Sequence, residues 1–323
     1  MNLPGSRGDR QALRRFHRDR NLPAVRFPAP VAALWLFAVH PALGQTAIRV
    51  NLLDTAVLAS PHLMESSGIV ASGRAPGVFW THNDSGDGPF LYATDLAGRD
   101  LGAVRVAGAG ALDWEDVAAG PCFVAPGRCF YVGDIGDNGA RRPYVVIYRV
   151  PEPEPPHGPS DTLGSTAILD SIVIRYPDRP HDAEALVVTR AGDLLIITKD
   201  LAGPAVLFRT TLRRGPMGRV LQRLGALGLQ TSPLTGRLVT GAAVSPNDSL
   251  LVVRTYVSLH FFLLRGDSLP RPLGPPAGVT VPFVESQGES VTFDGTNRLV
   301  LTSERGSASH AVLTRLRLNR ATP

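Results

Sequence analysis

Lysine, cysteine and charge are all scarce in this sequence. Its 323 residues hold 2 cysteines, and only 19% are Asp, Glu, Lys or Arg. Lys199 is the single lysine, so every other fixed cation is an arginine. So little charge beside 44% hydrophobic residues excludes a disordered polyampholyte. Two cysteines exclude a disulfide-built mini-scaffold, and the lack of repeated long apolar runs excludes a multispanning membrane protein. The strings G-x-S-x-G, H-E-x-x-H and G-x-x-x-x-G-K are missing, which removes the usual nucleophile elbow, zinc protease and phosphate loop.

A basic surface is missing too, despite a formal charge of +5. Residues 1–44 carry seven arginines against Asp9 and Asp19, which leaves 26 basic and 26 acidic groups in the other residues. That balance predicts no nucleic-acid partner.

The first 44 residues read as a signal peptide. From Phe27 to Gly44 there is no Asp, Glu, Lys or Arg; arginines precede an apolar centre, Val31–Val39, and Ala42-Leu43-Gly44 offers a cleavage site. The alternative is an uncleaved anchor, against which the prolines and shortness of the segment argue. The next Met after the N-terminal residues is Met64, which suggests a true start near Val25. The expectation is a secreted or periplasmic protein with no membrane span after signal removal, residues 45–323 forming one domain. Export favours a disulfide between Cys122 and Cys129, which flank the turn Ala125-Pro126-Gly127-Arg128 and can face each other across a hairpin.

What is abundant is punctuation: 33 Gly and 28 Pro separate short apolar segments rich in β-branched residues. Five segments pair a small or acidic residue with an aliphatic one two positions on, opening a strand. They begin at Ser67, Glu115, Glu184, Ala242 and Glu289, and each is followed by a second strand and a third. Repeats of this length with three to four strands predict the blades of an all-β propeller. Five blades are expected, with six as the alternative because the stretch 151–181 is long. The last repeat lacks a fourth strand, which Ala47–Leu53 would supply, closing the ring.

The first strand of each blade lines a propeller's channel, so the five column residues should meet near the axis. Three carboxylates there repel one another unless neutralised. Oxygen donors without His or Cys point to Ca2+ rather than Zn2+, held by Ser67, Glu115, Glu184 and Glu289. Without a metal, the same residues would cap strand ends or pair with arginines. The second strands end on the same face at His82, Asp84, Asp134, Lys199, Arg254 and Arg305. A metal ringed by cations suits an anionic, phosphate-like group; interblade salt bridges are the plainer alternative.

The column resembles that of the calcium-activated nucleotidase (soluble apyrase) family. Glu65-Ser66-Ser67-Gly68-Ile69-Val70, Glu115-Asp116-Val117-Ala118, Phe130-Tyr131-Val132-Gly133-Asp134-Ile135-Gly136 and Gly288-Glu289-Ser290-Val291 are similar to its motifs, although it has Ser where this chain has Ala242. The strings Asp113-Trp114-Glu115-Asp116 and Gly133–Asn138 also resemble uncharacterised secreted bacterial propellers. The family resemblance implies five blades, a central Ca2+ and hydrolysis of nucleoside di- and triphosphates. The expected function is thus a calcium-centred hydrolase of a phosphoanhydride or phosphoester. Asp84 or Asp134 would activate water, and His82, Lys199, Arg254 and Arg305 would bind a small anionic substrate. The rival is a non-catalytic propeller with a structural metal that binds a ligand or an envelope protein. A lactonase acting on a neutral ester is a third reading. A monomer is expected in each case.

Overall fold

Fully buried apolar strands such as Asp193–Thr198 (DLLIIT) and Leu250–Thr255 (LLVVRT) set the architecture. A strand buried on both faces belongs in the middle of a sheet that is itself packed between sheets. The computed structural model describes residues 48–156, 158–159, 163–201, 203–213, 218–229, 237–264, 276, 278–280, 287–306 and 310–320. The expected signal peptide lies outside them.

Five sheets form five blades. The first holds β2 (Ser66–Ala71), β3 (Val78–Asn83), β4 (Phe90–Asp95) and β5 (Asp100–Ala107). The second holds β6 (Trp114–Pro121), β7 (Arg128–Asp134), β8 (Val145–Pro151) and β10 (Asp170–Arg175). The third holds β11 (Ala183–Val188), β12 (Asp193–Thr198), β13 (Val206–Thr211) and β15 (Gln222–Ala226). The fourth holds β16 (Val239–Val244), β17 (Leu250–Thr255), β18 (Leu259–Leu263) and β19 (Gly278–Thr280). The fifth combines β20 (Gly288–Phe293), β21 (Arg298–Ser303) and β22 (Val312–Arg320) with β1 (Ile48–Val57) from the start of the described chain. The β1–β22 ladder runs antiparallel from Ile48↔Arg320 to Val57↔Val312, so the ring is closed by hydrogen bonds as the sequence predicts.

The six-blade alternative falls here. The stretch after β8 forms β9 (Leu163–Ala167), which joins β5 in parallel at the edge of blade one, and then β10 of blade two. A short parallel strand, β14 (Gly218–Val220), similarly extends blade two. These edge additions absorb the long inter-repeat segments without a further blade.

Among the described residues, five apolar clusters sit between neighbouring blades. One joins Trp80 and Leu91 to Phe130 and Val150, the next Ile147 and Tyr131 to Leu194 and Phe208. Others join Leu195 to Leu251, Leu250 and Phe261 to Leu299, and Val300 and Leu313 to Phe79. Burying both faces of every blade is what holds the ring together.

Cys122 and Cys129 form the expected disulfide across the β6–β7 turn, with Cα atoms 4.9 Å apart. A bond of this kind fits an oxidising compartment. No helix among the described residues is long and apolar enough to cross a membrane.

Candidate metal centre

Each inner strand starts with a β-bulge, and the bulge builds the site. The pairing of β2 with β3 skips Ser67; that of β6 with β7 skips Glu115; that of β11 with β12 skips Glu184; that of β20 with β21 skips Glu289. A bulge leaves one residue out of the ladder and re-aims its side chain. In blade four the skipped residue is Thr240, not Ala242. Ala242 instead occupies the register of Ile69, Val117, Leu186 and Val291, two residues further on. The column is therefore Ser, Glu, Glu, Thr, Glu, with an oxygen in every blade. The reading of Ala242 as the blade-four column residue is corrected by this two-residue shift.

The column side chains are all buried, from 1% exposed for Thr240 to 5% for Glu184. Ser67 donates to the backbone carbonyl of Glu115 at 2.8 Å, and Thr240 donates to that of Gly288 at 2.9 Å. Each hydroxyl thereby ties its bulge to the next blade.

Two further carboxylates lie in the same cluster. Asp113 and Asp182 stand two residues before Glu115 and Glu184. Carboxylate oxygens of Asp84, Asp113 and Glu115 lie within 4.8 Å of one another, and so do those of Glu115, Asp182 and Glu184. Glu115 belongs to both groups. The signal was present in the paired strings Asp113-x-Glu115 and Asp182-x-Glu184, but a single-position column does not register it.

The segment after β7 explains how these groups are held. Asp134 accepts the N–H groups of Leu112 and Asp113 at 3.2 Å each and pairs with Arg142 at 2.8 Å. Asp137 donates its N–H to Asp182 at 2.8 Å. Between them, Gly136 passes so close that a Cβ there would lie 2.3 Å from a Glu115 oxygen and 2.5 Å from Asp113. Only glycine allows that approach. Asp134 thus positions the cluster from behind rather than facing into it.

Two of the three cations predicted to ring the mouth, Lys199 and Arg254, are engaged with the protein. Lys199 Nζ bonds a Glu184 oxygen and, at 2.7 Å, the Tyr256 hydroxyl, with its ammonium 4.9 Å from the Tyr256 ring centre. Arg254 is 3% exposed and donates to the carbonyls of Ser290 and Thr302 at 2.7 and 3.1 Å. Arg305 lies exposed against the Met64 sulfur at 3.4 Å. His82 is 0% exposed, bonded through Nδ1 to the Asn83 carbonyl and set edge-on to Trp114. Asp84 is half-buried and faces Asp113.

Electrostatics mark the cluster as short of positive charge. Burial first, then Glu184, Asp84, Asp113 and Asp182, push the Glu115 carboxyl well above its usual range. Burial and Glu184 do the same to Glu289. Asp113 is pushed up to about 7 by burial, Asp84 and Asp182. Glu184 is pushed up to about 8, with burial outweighing the opposing pull of Lys199. Burial works against the Lys199 ammonium, but Glu184, Tyr256 and Glu289 outweigh it and keep it charged. Carboxyls held this far from their ordinary range are stable as neutral acids or as ligands of a cation. An all-oxygen set lacking His and Cys fits a hard ion such as Ca2+.

Comparison with known proteins leaves the family open. No family model matches the chain. It is 28% identical over 213 residues, 64% of its length, to a ribonuclease Z from Pseudomonas putida, and it spans 57% of that protein's length. The PQQ-bound aldose sugar dehydrogenase of Streptomyces coelicolor superposes on 84% of this chain and 98% of its own, with a TM-score of 0.48 and 12% identity.

Proposed function

We propose that this chain is an exported calcium-binding propeller whose cation sits in the acidic mouth of the central channel. The observation that carries the reading is the sharing of buried Glu115 between two carboxylate groups, with Lys199 the one ammonium on the cluster. Glu115, Glu184, Asp113 and Asp182 would hold the ion, with Asp84 at the open side. When bound, such an ion supplies Lewis acidity and a binding point for an anionic group. The chain's own contribution is rigidity: Asp134, Asp137 and the bulged strands fix the donors before any ion arrives.

A binding role suits this site better than phosphoester hydrolysis. Hydrolysis needs free cations to neutralise phosphate oxygens, whereas Lys199 and Arg254 are committed to Glu184, Tyr256 and backbone carbonyls. Asp134 is held by Arg142 and two amides. Half-buried Asp84, beside Asp113, keeps hydrolysis as the second reading, since it is the carboxylate that would orient water. An RNA substrate fits poorly with a channel mouth lined by carboxylates. Titration calorimetry with Ca2+, Mg2+ and Zn2+ tests the proposal. Ca2+ should bind in preference, and Glu115→Gln should abolish the binding. Phosphate release from a nucleotide panel above a Glu115→Ala control would instead select the hydrolase.

A further inference from the structure

The channel has a second end. Beyond the bulges the five inner strands surround a cavity of about 430 Å3, lined from Ile69, Val117, Leu186, Ala242 and Val291 outward to Phe293. That volume lies within the range of small-molecule pockets, about 300–1,000 Å3. Asp116 separates it from the acidic mouth. Its carboxylate accepts the N–H groups of Val117 and Leu186, each at 2.8 Å, which stand at the inner limit of the cavity.

The lining is apolar and short. Ala71, Ala118, Ala119 and Ala243 are half-buried on these strands, where larger residues would fill the space. Protein interiors otherwise pack with few voids larger than a water molecule. The inner strands therefore keep this end open while packing tightly between blades.

The rim is charged on one side. Arg128 is tied to Glu152 at 3.1 Å and to the Ala71 carbonyl at 2.9 Å. Arg190 is exposed and holds Asp248 through its backbone N–H, at 2.9 Å, rather than through its guanidinium. Among the described residues its guanidinium makes no ion pair. It stands where the cavity meets an adjoining polar groove that also carries Arg209 and Arg213. Arg209 pairs with Asp193, and Arg213 bonds the Ala191 carbonyl. Arg190 is thus the rim cation left to meet a ligand.

We propose that this cavity binds an amphiphile with one apolar body and one anionic head, the simplest being a medium-chain carboxylate. The apolar part lies along the inner strands, and the head meets Arg190. The site is independent of the cation at the opposite mouth.

The test uses the full chain in EDTA, which keeps the carboxylate soluble and the cation site empty. Anilinonaphthalene sulfonate serves as the fluorescent probe, displaced by decanoate, decanol or decyltrimethylammonium. Decanoate should displace the probe at a concentration at least tenfold below that of the other two. Arg190→Glu should weaken decanoate tenfold or more and leave decanol unchanged. Ala119→Phe should abolish both, and Ala243→Phe provides the same test at a second position should the first variant fail to fold. Failure of decanoate to displace the probe below its micelle concentration would overturn the proposal. So would equal binding of decanol and decanoate, or binding that neither cavity-filling variant reduces.

Discussion

The carboxylate of Asp116 accepts the backbone N–H of Leu186, 2.8 Å away in the neighbouring blade. It also accepts the amide of its neighbour Val117, so one side chain joins two blades at the axis. A buried N–H left without a partner costs about 1–3 kcal/mol. Asp116→Ala strands both, and urea unfolding should show a loss of at least about 2 kcal/mol. Asp116→Asn, which keeps one acceptor oxygen, should lose less.

Lys199 and a bound cation have overlapping tasks. The Lys199–Glu184 pair is 14% and 7% exposed, so deleting the lysine leaves a nearly buried carboxylate uncompensated. Removing one partner of such a pair costs about 3–5 kcal/mol. Lys199→Met should lose up to about that much in EDTA at pH 9, where Glu184 is ionised in the unchanged chain, and less at pH 7, where the carboxyl takes up a proton instead, measured by denaturant unfolding. Saturating Ca2+ should shrink the loss, because the ion neutralises the same carboxylate.

Two sets of groups give the stability opposite slopes with pH. Burial lowers the His82 imidazole from 6.5 to about 4. The unfolded chain then binds the extra proton between those values, so stability rises with pH up to about 6.5 and is flat above. The full span is about 3 kcal/mol. His82→Phe should remove it. The raised carboxyls act the other way: with Glu184 at about 8 and Asp113 at about 7, the native state holds the extra protons. In EDTA their contribution should fall as pH rises from about 5 to about 8. Calcium should flatten that upper limb, and pH-dependent urea midpoints in both buffers separate the two effects.

The disulfide closes a short loop, with a sequence separation of 7. Chain entropy for so small a loop corresponds to about 2.5 kcal/mol. Reduction, or a Cys122→Ser/Cys129→Ser double variant, should lower the melting temperature by about 5–10 °C, at about 2–4 °C per kcal/mol.

The blades were legible because turn residues separate apolar runs of strand length, and the orphan strand at Ile48–Val57 has one edge left to pair with. The parallel additions were not. Leu163–Ala167 alternates exposed and half-buried residues, a weak pattern, and it pairs with a distant strand. Thr240 was missed for a local reason. Thr240-Gly241-Ala242-Ala243-Val244 is a run of small residues that fits the small-x-aliphatic pattern at Ala242, and only the bulge in the ladder sets the register. Side-chain reach was also hidden. The positions of Lys199 and Arg254 at strand ends follow from sequence, but their turn inward to Glu184 and the Ser290 carbonyl depends on what neighbouring blades present.

Thermal unfolding with EDTA and with Ca2+ restored, at pH 7.5, tests the cation reading most directly. A ligand bound only to the native state stabilises it by about 2.7 kcal/mol at a hundredfold excess over its Kd. That corresponds to a rise of about 5–10 °C. The rise should vanish in Glu115→Gln, because Glu115 belongs to both carboxylate groups. No shift at millimolar Ca2+, or an equal shift in the variant, would contradict the account.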